Sequence, residues 1–202
     1  MPEGAYTLDQ MGNDAAELMA ALELQAVHFV GLSLGGMIGQ NLALNHANRL
    51  LSLTLCDTAA IVPEEAQPVW EERIQRAREK GMEALVQETL ERWFTQIFLS
   101  KNPPEVERIR KQILDTPVSG FIGCAEAIRR LRYLGRLPEI TVPTLIMVGE
   151  DDPGTPVSAA EAMHERIPHS RLLVIPSAAH LSNVEQPEAF NSALLRFLKE
   201  LA

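Results

Sequence analysis

Gly31-Leu32-Ser33-Leu34-Gly35-Gly36 sets a serine between glycines, after the apolar run Ala26-Val27-His28-Phe29-Val30 and before Met37-Ile38-Gly39-Gln40-Asn41-Leu42-Ala43-Leu44. A serine hydroxyl is a weak nucleophile until a neighbouring base takes its proton. Strand, G-x-S-x-G, helix is the context in which such a serine stands on a strained tight turn, its hydroxyl raised above the sheet edge. Glycines let strand and helix approach closely. Ser33 is therefore the candidate acyl-transfer nucleophile, and the next backbone N–H, on Leu34, points toward the developing oxyanion. The competing reading is a structural Gly-Ser turn at a βα junction.

A serine nucleophile needs a base, and the base needs an orienting carboxylate. The chain has five histidines. His28 lies inside an apolar run and reads as a packed core residue. His46 ends a helix, where a cation suits the dipole. His164 and His169 flank a polar helix end and read as surface. His180 differs: it follows the last apolar run, within Pro176-Ser177-Ala178-Ala179-His180-Leu181-Ser182-Asn183. Parallel α/β sheets build their sites at the C-terminal ends of strands, so His180 is the candidate base, against an ordinary loop histidine. For the acid, Asp151 and Asp152 both fit by position, in Gly149-Glu150-Asp151-Asp152-Pro153-Gly154-Thr155-Pro156. Asp57, after another apolar run, is a third candidate. A solvated acidic turn is the alternative for that loop.

The elements that must position these residues follow from periodicity. Thr7 and Gln10 form a T-x-x-Q capping box, and Leu8, Met11, Ala15, Leu18, Met19 and Leu22 recur at helical spacing. Strands are expected around Ala26–Val30, Leu50–Cys56, Val142–Gly149 and Leu172–Ile175. A helix opened by a second capping box, Ser158 and Glu161, follows the third strand, and Pro187 stands in the first turn of a C-terminal helix. Alternating strands and helices imply a parallel sheet with helices on both faces. From Pro63 to Leu137 no strand is convincing. Four amphipathic helices are expected there, carrying Trp70, Ile74 and Ala77; Leu85, Leu90, Trp93 and Phe94; Val106, Ile109 and Ile113; and Phe121, Ile122, Ala125 and Ile128. The chain thus divides into an α/β core, 1–62 and 138–202, and a helical insertion, 63–137.

Composition bounds the function. The 202 residues are 46% hydrophobic and 22% charged, and 18 basic against 27 acidic residues give a net charge of −9. That balance disfavours nucleic acid as a partner. No apolar run approaches the ~20 residues of a membrane span, and Met1–Tyr6 has no signal-peptide character. Two cysteines, Cys56 and Cys124, make neither a disulfide framework nor a metal site, and suggest a reduced, cytoplasmic setting. Metal, nucleotide and flavin motifs are lacking, so no cofactor is expected.

Serine, aspartate and histidine at three strand ends, in that order, follow the α/β-hydrolase order. The chain resembles that superfamily along nearly all of its length, and within it the 3-oxoadipate enol-lactonases of aromatic-compound catabolism. Gly31–Gly36 matches the family's GLSxGG. Gly149–Pro156 resembles its acid loop G-x-x-D-x-x-T-P, which assigns the acid role to Asp152. Ile175–Pro187 is very like its histidine segment, and Arg92-Trp93-Phe94-Thr95 and the stretch around Cys124–Arg129 resemble its helical cap. The resemblance implies a three-layer α/β-hydrolase fold with a cap, and hydrolysis of a carboxylic ester or lactone, above all 3-oxoadipate enol-lactone, through an acyl-enzyme on Ser33. The substrate is a small anion. Trp93 and Phe94 are candidate pocket residues, and Arg129, in a basic run with Arg130, Arg132 and Arg136, is the candidate contact for the anion; a solvated helix face is the competing reading of that run. Members of the family carry further strands ahead of the first helix, with an H-G loop that supplies a second oxyanion donor. Pro2–Thr7 looks like the stretch just after them, so an amino-terminally truncated core of four strands is expected, with the serine strand at an edge that invites self-association. Rival readings are a general carboxylesterase or cofactor-free haloperoxidase-like hydrolase, and an inactive remnant or interaction module.

Overall fold

The computed structural model describes residues 4–201; Pro2 and Glu3, at the start of the Pro2–Thr7 stretch, lie outside them. Helix α1 (Leu8–Ala21) begins at the expected capping box: Gln10 N–H donates to Thr7 Oγ1 at 3.1 Å and Thr7 N–H donates to Gln10 Oε1 at 3.0 Å. Its inward face is Leu8, Gly12, Ala16 and Met19, whereas Leu18 and Leu22 are 60% exposed. Gly12 sets the closeness of the packing, since a Cβ there would lie 2.0 Å from Asn41 Oδ1.

Four parallel strands follow: β1 (Val27–Leu32), β2 (Leu50–Cys56), β3 (Thr144–Gly149) and β4 (Arg171–Ile175). They lie side by side in the order β1-β2-β3-β4. Helices α2 (Leu34–Asn45) and α8 (Val157–His164) supply two of the crossovers. With α1 they cover one face, where Met19, Leu42 and Met163 meet Leu53, Leu55 and Ile146. Helix α10 (Pro187–Lys199) covers the other, packing Phe190 and Phe197 on Cys56, Leu145 and Met147. Strand β3 is buried along its whole length and β2 everywhere but Leu51, so both are mostly apolar, with Ser52 and Thr54 the polar residues inside β2.

Strand β1 is an edge of this sheet. Its residues alternate in exposure, and Val30 is 43% exposed. His28 is accordingly exposed, a correction to its reading as core: α10 packs under β3, and the residues with which it forms a core do not include His28. The imidazole Nδ1 lies 2.8 Å from Ser52 Oγ. The second capping box does not form either. Helix α8 starts at Val157 with Pro156 as its N-cap and no side-chain cap, so Ser158 lies inside the first turn.

Between β2 and β3 come α3 (Gln67–Lys80), α4 (Glu83–Trp93), α5 (Gln96–Ser100), α6 (Pro104–Asp115) and α7 (Val118–Arg129). Four match the periodicity; α5 is additional, a short helix N-capped by Thr95. They share a core of their own, in which Leu85, Leu90, Phe94, Val106 and Ile113 are buried. The chain leaves and re-enters the sheet through adjacent segments: Tyr133 and Leu134 N–H both donate to Ala60 O, at 2.8 and 3.0 Å. No helix among the described residues is long and apolar enough to cross a membrane.

The Thr7 cap makes a direct prediction. Thr7→Ala removes the side-chain acceptor for Gln10 N–H and is expected to lower stability by about 1 kcal/mol, measured as a shift in urea midpoint at unchanged slope. An unchanged midpoint would show that α1 is held by its packing alone.

Candidate active site

Ser33 stands between β1 and α2 with φ 54° and ψ −116°, a conformation costly for a residue with a Cβ. The surroundings hold it there. Ser33 N–H donates to Cys56 O at 2.9 Å, and its carbonyl accepts from Gly36 N–H at 2.9 Å and from Thr58 Oγ1 at 2.7 Å. Gly31 is required on the strand side, because a Cβ there would lie 2.2 Å from Gly35 O. Leu34 opens α2, so its N–H has no carbonyl one turn back to receive it.

His180 follows β4, and its Nε2 lies 2.9 Å from Ser33 Oγ. Its Nδ1 lies 2.7 Å from Asp152 Oδ2. Asp152 is buried in the loop after β3 and accepts from Gly154 N–H at 2.8 Å, Thr155 N–H at 3.0 Å and Thr155 Oγ1 at 2.6 Å. Burial pushes this carboxyl up, but the hydrogen bond from His180, the charge of His180 and the Thr155 donors outweigh it and hold the pKa below the ordinary value. An ionised carboxylate only accepts, so Nδ1 carries the proton and Nε2 presents its lone pair to the Ser33 hydroxyl. Thr155 was not singled out from sequence; its signal was the tight Asp-Pro-Gly-Thr turn, in which an aspartate caps backbone two and three residues on.

The other two acid candidates are elsewhere. Asp151 is exposed. Asp57 is fully buried, accepting from Gly149 N–H at 2.8 Å and Ser182 Oγ at 2.6 Å. Burial raises its pKa to about 6, against the lowering effect of those two bonds.

Ser33 and His180 open into a cavity of about 440 Å³ between the strand ends and the helical layer, a volume suited to a small molecule. Leu34 and Trp93 line it, and the Trp93 ring stacks on His180 with centroids 6.2 Å apart. Two expected pocket residues do not line it. Phe94 is buried in the core of the helical layer, stacked on Phe98. The Arg129 guanidinium is tied to Gln67 and Glu71 and borders a separate, polar depression with Arg130 and Arg132. The cations in the cavity wall are Arg73 and Arg92. Arg73 is 4% exposed; among the described residues its hydrogen bond is a long one, Nη2 to Thr89 Oγ1 at 3.4 Å, and Nε and Nη1 find no partner there. Its Cζ lies 5.1 Å from the Trp70 ring centroid. Burial, then the charge of Arg92, lowers its pKa to about 10. Arg73 was legible in principle, since it falls in the stripe of Trp70, Ile74 and Ala77 that turns inward. No cluster able to hold a metal ion occurs among the described residues.

The raised pKa of Asp57 gives a signed pH dependence. Folding favours its protonated form, so the stability it contributes is present below about pH 4 and is lost as pH rises through about 6. Asp57→Asn keeps the shape and does not titrate. Wild type is therefore expected to lose stability relative to this variant between pH 4 and pH 7, by on the order of a few kcal/mol, in parallel urea titrations. A constant difference across that range would contradict the assignment.

Comparison with known proteins agrees with this architecture. The family model for the alpha/beta hydrolase fold matches residues 1–187. A 3-oxoadipate enol-lactonase of Acinetobacter baylyi is 36% identical over 198 residues, covering 98% of this chain and 73% of that protein. The enol-lactonase of Burkholderia xenovorans LB400 superposes with a TM-score of 0.94 at 33% identity, covering 98% of this chain and 75% of that one. A thermophilic esterase of Thermogutta terrifontis superposes at 0.93 with 32% identity, covering 100% and 75%. A strand–serine–helix turn joined by hydrogen bonds to histidine and aspartate at two further strand ends, a family match over most of the chain and relatives that are enol-lactonases and esterases converge: the chain belongs to the alpha/beta hydrolase family and is a hydrolase.

Proposed function

We propose that the protein hydrolyses a small, carboxylate-bearing ester or lactone, with 3-oxoadipate enol-lactone as its substrate, through an acyl-enzyme on Ser33. The observation that carries the substrate class is Arg73, a buried guanidinium with unpartnered N–H groups in the wall of the Ser33 cavity. A buried cation without a counter-ion is costly, and a substrate carboxylate would supply the missing acceptor through paired, charge-assisted hydrogen bonds. Arg92, half-buried in the same wall, adds to the positive potential. The enol-lactonase relatives act on a substrate of this kind by name.

The reaction uses the chain of hydrogen bonds directly. Ser33 Oγ attacks the lactone carbonyl as His180 Nε2 takes its proton, and Asp152 stabilises the imidazolium through Nδ1. The Leu34 N–H receives the oxyanion. Collapse breaks the acyl–oxygen bond; the ring oxygen leaves with the proton from His180 as an enol, which becomes the ketone. His180 then takes a proton from water as the hydroxide adds to the acyl carbon, and returns it to Ser33 Oγ as the acyl–Ser33 bond breaks, leaving free Ser33 and the second carboxyl group, which ionises in solution. Residues 63–137 act as the cap that walls the reaction from solvent.

A second reading, a general carboxylesterase, is favoured by the apolar remainder of the cavity wall, with Leu32, Met37, Trp70, Phe121 and Ile128, and by the likeness to the Thermogutta esterase. Steady-state assays separate the two. The enol-lactone and a carboxylate-bearing aryl ester are expected to be cleaved with higher kcat/KM than a neutral aryl ester of equal length. Arg73→Gln should raise KM for the anionic substrates by about 10–100-fold and leave the neutral ester within a few-fold. Ser33→Ala should abolish turnover and labelling by a fluorophosphonate. Preference for the neutral ester, indifferent to Arg73, would establish the carboxylesterase instead.

A further inference from the structure

Two buried carboxylates beside the His180 loop take no part in the proton relay, Asp57 and Glu185. The donors to Asp57 are Gly149, at the end of β3, and Ser182, the first residue of the short helix after the His180 loop, and neither belongs to the helical layer of residues 63–137. Glu185, the last residue of α9 (Ser182–Glu185), bridges two layers. Its Oε2 accepts from Ala179 N–H at 2.7 Å, directly before His180. Its Oε1 accepts from Thr95 N–H at 3.0 Å and Thr95 Oγ1 at 2.7 Å. Thr95 caps α5 and sits just after Trp93, whose ring stacks on His180. On the other side of His180, Leu181 N–H donates to Trp93 O at 3.0 Å. The residues before and after the base are thus both fastened to one corner of the helical layer, the turn from α4 into α5. Glu185 is 8% exposed, and its three donors are the kind of satisfaction a buried carboxylate requires.

We propose that Glu185 is a positioning residue that couples the α4–α5 corner to the His180 loop, so that the wall holding the substrate and the imidazole acting on it move as one unit. The His180 nitrogens sit 2.9 Å from Ser33 and 2.7 Å from Asp152, and a displacement of about 1 Å in such an arrangement costs about 100-fold in rate. Substrate that settles against Trp93 therefore also fixes the base. This inference rests on the acyl-enzyme reading above. It assigns Glu185 a role in kcat rather than in binding.

The test measures KM, and kcat per Ser33 titrated with a fluorophosphonate, on a neutral aryl ester that does not need Arg73. In Glu185→Gln an amide NH2 replaces one acceptor oxygen, and kcat per titrated site is expected to fall about 10–100-fold with KM within about twofold. Thr95→Ala, which removes one donor on the helical side, should lower kcat several-fold, and Thr95→Ser, which keeps the hydroxyl, should restore it. The double variant Glu185→Gln/Thr95→Ala should be no slower than the slower single variant, because both cut one link. Wild-type kcat per site in folded, fully titrated variants overturns the coupling, as does a double variant whose losses multiply. Should Glu185→Gln not fold, the Thr95→Ala and Thr95→Ser pair decides alone. A wild-type protein whose Ser33 does not titrate removes the acyl-enzyme reading itself, and the coupling with it.

Discussion

Everything in this site depends on one strained residue. Ser33 at φ 54° is stable only because its surroundings over-determine it. Its N–H and C=O are hydrogen-bonded to β2, to α2 and to Thr58, and Gly31 lets Gly35 O come within a distance no side chain would allow. Those contacts come from β2 and α2, elements buried on both sides or packed against α1. The free edge of β1 is thus on the far side of the strand from the contacts that hold the turn. The sheet order β1-β2-β3-β4 then delivers Asp152 and His180 at the ends of β3 and β4, within reach of the same point.

Electrostatics sorts the carboxylates by what surrounds them rather than by position. Asp152, Asp57 and Glu185 are all buried. Asp152 faces an imidazole and three donors from its own turn, and stays ionised. Asp57 faces one backbone N–H and one hydroxyl, and burial dominates. Two aspartates at adjacent strand ends therefore differ in the direction of their pKa shifts. In the proposed mechanism Asp152, the one hydrogen-bonded to His180, orients the base. The opposite charge lines the cavity, where Arg73 and Arg92 stand in a mostly apolar wall and Arg73 Nε and Nη1 have no hydrogen-bond partner among the described residues. A locally positive cavity in an acidic protein supports the anionic substrate proposed above.

Much of this was legible in the sequence, for identifiable reasons. The apolar run of β2 matches its observed limits, and those of β3 and β4 nearly so: β2 and β3 are mostly buried, and β4 is apolar from Leu172 to Ile175 although partly exposed. Thr7 and Gln10 gave the start of α1, since both halves of a capping box lie within four residues. Ser33, Asp152 and His180 stood out because each follows an apolar run and fits a short local pattern. What failed depended on which way a helix or strand faces. His28 looks like core because a strand pattern does not say which face is covered, and among the described residues no helix packs over it. Arg129 looks like the anion contact because it opens a basic run, yet it is paired with Glu71 and Gln67 of α3. Arg73 carries the same charge on a helix that turns the other way. Glu185 and Thr95 are 90 residues apart, and no local signal links them.

In the proposed reaction Ser33 carries the acyl group during turnover. Rapid-quench peptide mapping by mass spectrometry, with a carboxylate-bearing aryl ester at saturation, tests it most directly. A burst of about one phenolate per chain is expected, with the matching acyl mass on the peptide that contains Ser33. Turnover at the same rate with no covalent adduct, or with the acyl group on another residue, would contradict it.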